Sequence, residues 1–422
     1  MPGQEKSNVL IIGGGLAGLT AAVTLKERGL NVLVLEADNR LGGRVKTEEI
    51  DGQYVEMGGE SIGAEHLDTQ SLCRGLNIPL VSYRFSTCLK INPHQAIENE
   101  LPKNYTQKMI TLKVGASDLL LTQAEYLANT SWQDFLIERG FDDEEIAIEN
   151  IIRRLSYSRY ISALSAFNLL HDLVNGVVDK EDGFWIEGGN SRLINCLGDT
   201  LGENAIRLNS KVEVIKQSKV VEVRLSDGLA FNADVAVVAL PPYQVMGIDW
   251  LPTLPREKVE ALTSVSYAHV TKVASEFPNK FWDDNFEILQ DGNPNAIWAP
   301  VGQASKKGVL IAYGIGKNAT ELIRLDEGSR KRVIMDLLYE KFDRIPHISQ
   351  TLIAHWEQAY SVYRYKPFEV AREVISKPWL NVYFAGEHIP TDFSKQGYME
   401  GAVSSGLEVA KLIVKNLTAQ PV

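Results

Sequence analysis

Three consecutive glycines stand between an aliphatic run and a helical one in NVLIIGGGLAGLTAA, from Asn8 to Ala22. Asn8 to Ile12 is short, β-branched and aliphatic and reads as a strand, while Leu16, Leu19, Val23 and Leu25 recur at helical spacing. A strand, a tight turn and a helix follow. Gly13, Gly15 and Gly18 hold the GxGxxG spacing. The first glycine permits the turn, the second lets a pyrophosphate approach the backbone, and the third lets helix pack on strand. The free N–H groups of the first helical turn then face the phosphates. Gly29 stops the helix, Asn31 to Leu35 makes a second apolar strand, and Glu36, 23 residues beyond Gly13, falls in range of a ribose hydroxyl. The expectation is a Rossmann-like dinucleotide-binding unit. The spacing alone does not separate NAD from FAD.

At 422 residues and 45% hydrophobic the chain is too long for one ordinary core and long enough for two domains. A formal charge of −11 argues against a nucleic-acid or anionic-membrane surface and suits a soluble cytoplasmic protein. Cys73, Cys88 and Cys196 are odd in number and show no CxxC spacing, so neither a disulfide framework nor a zinc site is expected. The seven histidines show no HxH or HExxH pairing, and no metal is expected. The first residues lack the basic and apolar pattern of a signal peptide, and no stretch approaches the ~20 apolar residues of a membrane span. The composition leaves a homodimer open.

Beyond Glu36 the chain reads ADNRLGGRVKTEEIDGQYVEMGGESIG, in which Gly42, Gly43 and Arg44 follow the second strand and Gly58 and Gly59 close a hairpin-like run. Such glycine clusters let backbone approach a ligand closely, though ordinary hairpin turns use them too. With these go WIEGGNSRL at Trp185 to Leu193, VALPP at Val238 to Pro242, and FAGEHIPTDFSKQGYMEGAVSSG at Phe384 to Gly406. In these segments the sequence resembles the FAD-dependent amine oxidases, the family of monoamine oxidases, polyamine oxidases and L-amino-acid oxidases, over nearly its whole length. IIGGGLAGL and EADNRLGGRV are shared with carotenoid desaturases and protoporphyrinogen oxidases. The C-terminal segment with GYMEGA discriminates better.

The resemblance implies FAD, held by Gly13, Gly15, Gly18, Glu36, Gly42, Gly43, Arg44, Gly58, Gly59, Val212, Gly386, Glu387, Tyr398 and Met399. Val212 matches the position whose backbone meets the adenine end, and Glu387 one that bonds the ribityl or phosphate region; a solvated loop acid is the plainer alternative for Glu387. Leu380 to Ala385 reads as a strand, and Ala402 to Val414 has the apolar spacing of a helix whose first turn lies near Tyr398. The resemblance sets that turn against the flavin ring, where a helix N-terminus stabilises negative charge. The fold expected is α/β, a Rossmann-like FAD domain from residues 1–75, 184–250 and 376–422, interleaved with a substrate domain of mixed sheet and helices from 76–183 and 251–375. Trp132 to Arg139 and Glu144 to Leu155 read as amphipathic helices, and Tyr267 to Phe277, Gly308 to Gly314 and Thr351 to Trp356 as strands.

Three positions concern chemistry. Lys272, in HVTKVASEF, sits in a strand where an inward lysine is costly without a partner. It matches a family lysine that holds a water near flavin N5; an outward strand lysine is the alternative. Tyr398 matches one wall of an aromatic cage that flanks the substrate nitrogen. For the second wall WEQAYSVYRY offers Tyr363, with Tyr360 and Tyr365 as rivals.

Departures from the family matter as well. Ser361 and Val362 stand where monoamine oxidases carry a flavin-tethering cysteine, so FAD is expected to be noncovalent. Glu60 and Ser61 stand where L-amino-acid oxidases place a carboxylate-binding arginine, which disfavours an α-amino acid unless Arg84 or Arg364 compensates. Glu60 and Glu65 either attract a cationic amine or are plain surface acids. The implied reaction is oxidation of an amine C–N bond to an imine, then to an aldehyde or ketone, with O2 reduced to hydrogen peroxide. Two alternatives stay open: a desaturase or protoporphyrinogen-oxidase-like enzyme acting on C–C bonds, and a redox-silent FAD-binding interaction protein.

Overall fold

A computed structural model describes residues 7–92, 94–174, 183–300, 307–362, 369–390 and 395–418. Two large sheets carry the architecture. In the first, strands run in the order 206–207, 32–35, 7–12, 230–238, 221–225, 212–217 and 249–251, with 382–384 beside the far end of 230–238. Strands 32–35, 7–12, 230–238 and 382–384 are mutually parallel, Val9 lying opposite Val32 and Val235, and Val238 opposite Phe384. Parallel strands of this kind are covered on both faces, so their sequences are apolar throughout. Val9 and Ile11 face the Leu16–Glu27 and Met399–Thr418 helices, and Leu10 and Ile12 face Val212, Trp250 and Ile375 on the other side.

Because these strands run the same way, Ile12, Leu35, Val238 and Phe384 end at one edge of the sheet. Ligands of open α/β sheets bind outside such carboxyl ends.

The second sheet runs 350–356, 270–277, 308–315, 296–298, 286–290, 86–92 and 95–98, antiparallel except for the parallel pair 286–290 and 86–92. One face packs Val273, Leu310, Ala312 and Ile288 against Leu322, Ile334 and Leu338 of the helices Lys317–Arg324 and Glu327–Tyr339. At one end of the sheet lies a helical layer of residues 103–174, cored by Trp132, Phe135, Ile148 and Leu169. The expected amphipathic segments there are the helices Trp132–Glu138 and Asp143–Tyr157. Asp142 caps the second, accepting from Glu145 N at 3.0 Å while Glu145 reaches back, a reciprocal capping box.

The strand expected over Tyr267 to Phe277 divides at Ala268. Ser266–Tyr267 pairs with Ser361–Val362, and Val270–Phe277 joins the second sheet. Ala268 itself exchanges backbone bonds with Ala359 and Tyr360, which pins the 359–361 segment over the cavity described next. Among the described residues no helix is long and apolar enough to cross a membrane.

Candidate active site

One cavity of about 800 Å³ runs from the carboxyl edge of the first sheet to the face of the second that carries Lys272 and Trp298. That is within the usual span of ligand pockets. At the first end stand Gly13, Gly15, Glu36, Arg40, Gly42, Gly43, Arg44, Val212 and Gly386. Gly13 has φ +105°, and a Cβ there would lie 2.8 Å from Ala239 O. A Cβ on Gly18 would lie 2.0 Å from Gly13 O, so this glycine allows the helix to sit on the turn. A Cβ on Gly15 would meet no protein atom within 4 Å, because it would point into the cavity. The cradle is open where a pyrophosphate needs it and closed where packing needs it. Glu36 is buried, and its carboxylate accepts from Gly14 N at 2.5 Å and Asp38 N at 2.8 Å; burial raises its pKa against those two bonds. Its remaining lone pairs are left for a ribose hydroxyl. These residues fit a dinucleotide.

Glu387 is also buried and near the middle of the cavity. Oε1 accepts from Arg44 Nη1 at 2.7 Å, and Oε2 accepts from Ser361 Oγ at 2.5 Å and Gly397 N at 3.2 Å. Burial, the largest influence, pushes this carboxyl up, but the Arg44 guanidinium, His388 and the Ser361 hydroxyl together outweigh it and leave the pKa below the ordinary value. Glu387 thus fastens three separate segments of the wall, a role the sequence did not disclose.

The Gly58–Gly59 turn is held from both sides. A Cβ on Gly58 would fall 2.1 Å from Arg44 O, and Gly59 lies against Met399. Asn190, from the WIEGGNSRL segment, donates to Gly59 O at 2.9 Å and Glu60 O at 2.8 Å.

The other end is aromatic. Register explains its membership: Lys272 lies opposite Tyr313, Trp298 opposite Glu287, and Val270 opposite Trp356. Residues directly across antiparallel strands share a face, as do alternate residues along a strand. All six side chains line the cavity. Lys272 is inward and only 4% exposed, with Nζ donating to Glu56 O at 2.9 Å, Gly58 O at 3.0 Å and Glu60 Oε2 at 2.7 Å. Trp298 Nε1 donates to Glu60 Oε1 at 2.9 Å.

Tyr398 precedes the Met399–Thr418 helix and lines the cavity, its ring 5.1 Å from that of His66; burial pushes its hydroxyl up to about 12. Of the three candidates for a second ring wall, Tyr363 and Tyr365 lie outside the described residues, as does Arg364. Tyr360 lines the cavity, with its hydroxyl donating to Leu155 O at 2.7 Å. Trp298, Tyr313 and Asp172 also line it and were not singled out from sequence. Alternation along their strands marks Trp298 and Tyr313 as sharing a face, but nothing local says which face is empty.

A family description, flavin containing amine oxidoreductase, matches residues 16–414. The chain is similar to lysine-specific histone demethylase 1 homolog 2 of Oryza sativa subsp. japonica, 26% identical over 452 residues, spanning 98% of this chain and 58% of that protein's length. It is similar to an L-amino-acid oxidase of Crotalus adamanteus, 24% identical over 458 residues and covering 97% and 87% of the two chains. In fold it is similar to cyclohexylamine oxidase from Brevibacterium oxydans IH-35A, with a TM-score of 0.84 at 21% identity, covering 98% and 100% of the chains.

Proposed function

Because this chain belongs to the flavin-containing amine oxidoreductase family and is an FAD-dependent amine oxidoreductase, we propose that it oxidises the C–N bond of a small amine lacking an α-carboxylate, with O2 as acceptor and hydrogen peroxide as product. The observation that carries the reading is the single cavity joining a dinucleotide cradle to an aromatic pocket. The chemistry FAD supplies when bound is acceptance of two electrons and the α-hydrogen, and their delivery to O2.

The protein's own residues position and polarise. Gly13, Gly15 and the N-terminus of the Leu16–Glu27 helix receive the pyrophosphate, and Glu36 a ribose. Nothing in the Ser361–Val362 pair forms a covalent tether, so the cofactor is held noncovalently. The amine must shed its ammonium proton to expose the lone pair before the α C–H breaks. Tyr398, with Tyr360, Tyr313 and Trp298, borders the nitrogen and the apolar body with ring faces. Lys272 is a fixed charge in this wall and assists the oxygen half-reaction, where negative charge develops. Water then hydrolyses the imine to an aldehyde or ketone.

The absence of an α-carboxylate is argued from the cations of the wall. Of the four cations among the described lining residues, Arg40 is tied to the Leu41, Gly43 and Val45 carbonyls and Lys211 stands beside Val212 at the cradle. Arg44 is committed to Glu387 and Lys272 to Glu60, so the aromatic end is offered no free carboxylate anchor. We place the enzyme in the cytoplasm, and a homodimer is the assembly that light scattering would test. The test of function is anaerobic titration with primary amines, secondary amines and L-amino acids. Bleaching of the flavin by amines, with peroxide released on admitting air, is the expected result. Bleaching by an unsaturable C–C substrate alone would favour the desaturase reading, and no bleaching by any compound the redox-silent one.

A further inference from the structure

The polar centre of the aromatic end is an ion pair. An ammonium has three hydrogens, and Glu56 O, Gly58 O and Glu60 Oε2 take all three of those on Lys272. Lys272 is closed as a donor. Glu60 is not closed as an acceptor: a carboxylate has about four lone-pair positions, and protein hydrogens from Lys272 and Trp298 engage one on each oxygen. Its side chain is 19% exposed against 5% for Lys272, and it lines the cavity. What this pair offers a ligand is therefore hydrogen-bond acceptance.

The surroundings agree in sign. Among the described lining residues seven are Asp or Glu and four are Lys or Arg, so the cavity as a whole favours a cation. Beside Glu60 the Trp298 and Tyr313 rings stand 5.3 Å apart by centroid and tilted by 50°, presenting apolar area next to the acceptor. Both carboxylate oxygens are already tied, one to strand 270–277 and one to strand 296–298, so little side-chain freedom is left to lose when a ligand arrives.

We infer that Glu60 accepts an N–H of the incoming alkylammonium and selects a cationic amine with an apolar body over a neutral analogue; this rests on the amine-oxidoreductase reading above. Two cations, Lys272 and the substrate, then share one carboxylate.

The probe is 2-phenylpropan-2-amine, which has no α C–H and cannot be oxidised, compared with its neutral isostere 2-phenylpropan-2-ol. Each is titrated at about pH 8 into the FAD-loaded protein and followed by the visible flavin spectrum. A charge-assisted bond predicts that the amine binds at least about tenfold more tightly than the alcohol in the native chain, and that the preference falls below about threefold in Glu60→Gln. Glu60→Asp keeps the charge and is expected to keep a larger preference than Gln. The same preference in Glu60→Gln as in the native chain overturns the inference, and so does no preference in the native chain. If Glu60→Gln does not retain FAD, the native chain decides with the N,N,N-trimethyl derivative, a cation without an N–H: weaker binding than the primary amine supports the bond, equal binding overturns it. Benzylamine bleaching tests the parent reading separately. Bleaching with an unchanged preference in Glu60→Gln removes only the role of Glu60; no bleaching by any amine removes the proposed function itself.

Discussion

Gly15 and Gly18 belong to one motif, yet a methyl group added at each meets opposite surroundings. At Gly15 it enters the cavity and touches no protein atom within 4 Å, and the backbone there, φ −76° and ψ 177°, suits alanine. Gly15→Ala should leave the apoprotein as stable as the native chain, or up to about 1 kcal/mol more so, since a restricted unfolded chain favours folding. At Gly18 the methyl would stand 2.0 Å from Gly13 O, 3.1 Å from Ile11 Cγ2 and 3.2 Å from Ala239 Cβ. Ile11 lies in a core strand and the closest neighbour is main chain, so the upper end of overpacking costs applies, about 3 kcal/mol; helix propensity returns about 1, for a net loss of about 2 kcal/mol or more. With an unfolding entropy of about 2.1 cal/mol/K per residue over 422 residues, the apoprotein Tm falls by about 2 °C or more in Gly18→Ala and is unchanged or rises by up to about 1 °C in Gly15→Ala. Flavin gives the reverse contrast. FAD at a hundredfold excess over its Kd should raise native stability by about 2.7 kcal/mol, and Gly15→Ala should lose that increment. The assay is calorimetry of FAD-stripped and FAD-saturated protein with the flavin-to-protein absorbance ratio. Full FAD retention in Gly15→Ala refutes the phosphate-cradle assignment, and an unshifted apoprotein Tm in Gly18→Ala refutes the packing argument.

Tyr398→Phe should keep most amine-dependent flavin reduction, whereas Tyr398→Ala should lose about tenfold or more in kcat/KM, at least ~1.4 kcal/mol, at matched FAD content; reduction by the alanine variant at the native rate would remove the ring wall. Lys272→Met should slow reoxidation by O2 more than anaerobic reduction, and stopped-flow traces with equal small effects on both would make the lysine purely structural. Burial pushes the Glu56 carboxyl up to about 7, so its folded form binds a proton that the unfolded chain releases above about 4.5. That stability is fully present below pH 4.5 and lost as pH rises through 7, with a slope of up to about 1.4 kcal/mol per pH unit that Glu56→Gln should abolish; superimposable stability-versus-pH curves for the two proteins would contradict it. Burial pushes His388 down to about 4, which acts in the opposite sense: its contribution is present above pH 6.5 and lost as pH falls through 4, so only the difference between variant and native curves isolates Glu56. Acid precipitation should release yellow FAD into the supernatant, and flavin left in the pellet would mean a covalent link.

The divide between local and long-range information follows the chemistry of each group. Gly13, Gly15, Gly18 and Glu36 lie within one strand–turn–helix–strand unit, and their roles depend on spacing along the chain, so the sequence alone determined a dinucleotide cradle. Lys272, too, was marked by its place in an apolar strand, because an inward ammonium demands partners. The identity of those partners belongs to the tertiary structure: Glu60 and the carbonyls of Glu56 and Gly58 are more than two hundred residues away in sequence. The same holds for Glu387, whose acidity was visible but whose three fastenings to Arg44, Ser361 and Gly397 required distant segments to meet. Strand periodicity shows that alternate residues share a face; it does not say which strands become neighbours, in what register, or which face stays uncovered. Packing of the helices 317–324 and 327–339 on one side of the second sheet settled that, and left Lys272, Trp298, Tyr313 and Glu287 to form the wall of the cavity on the other.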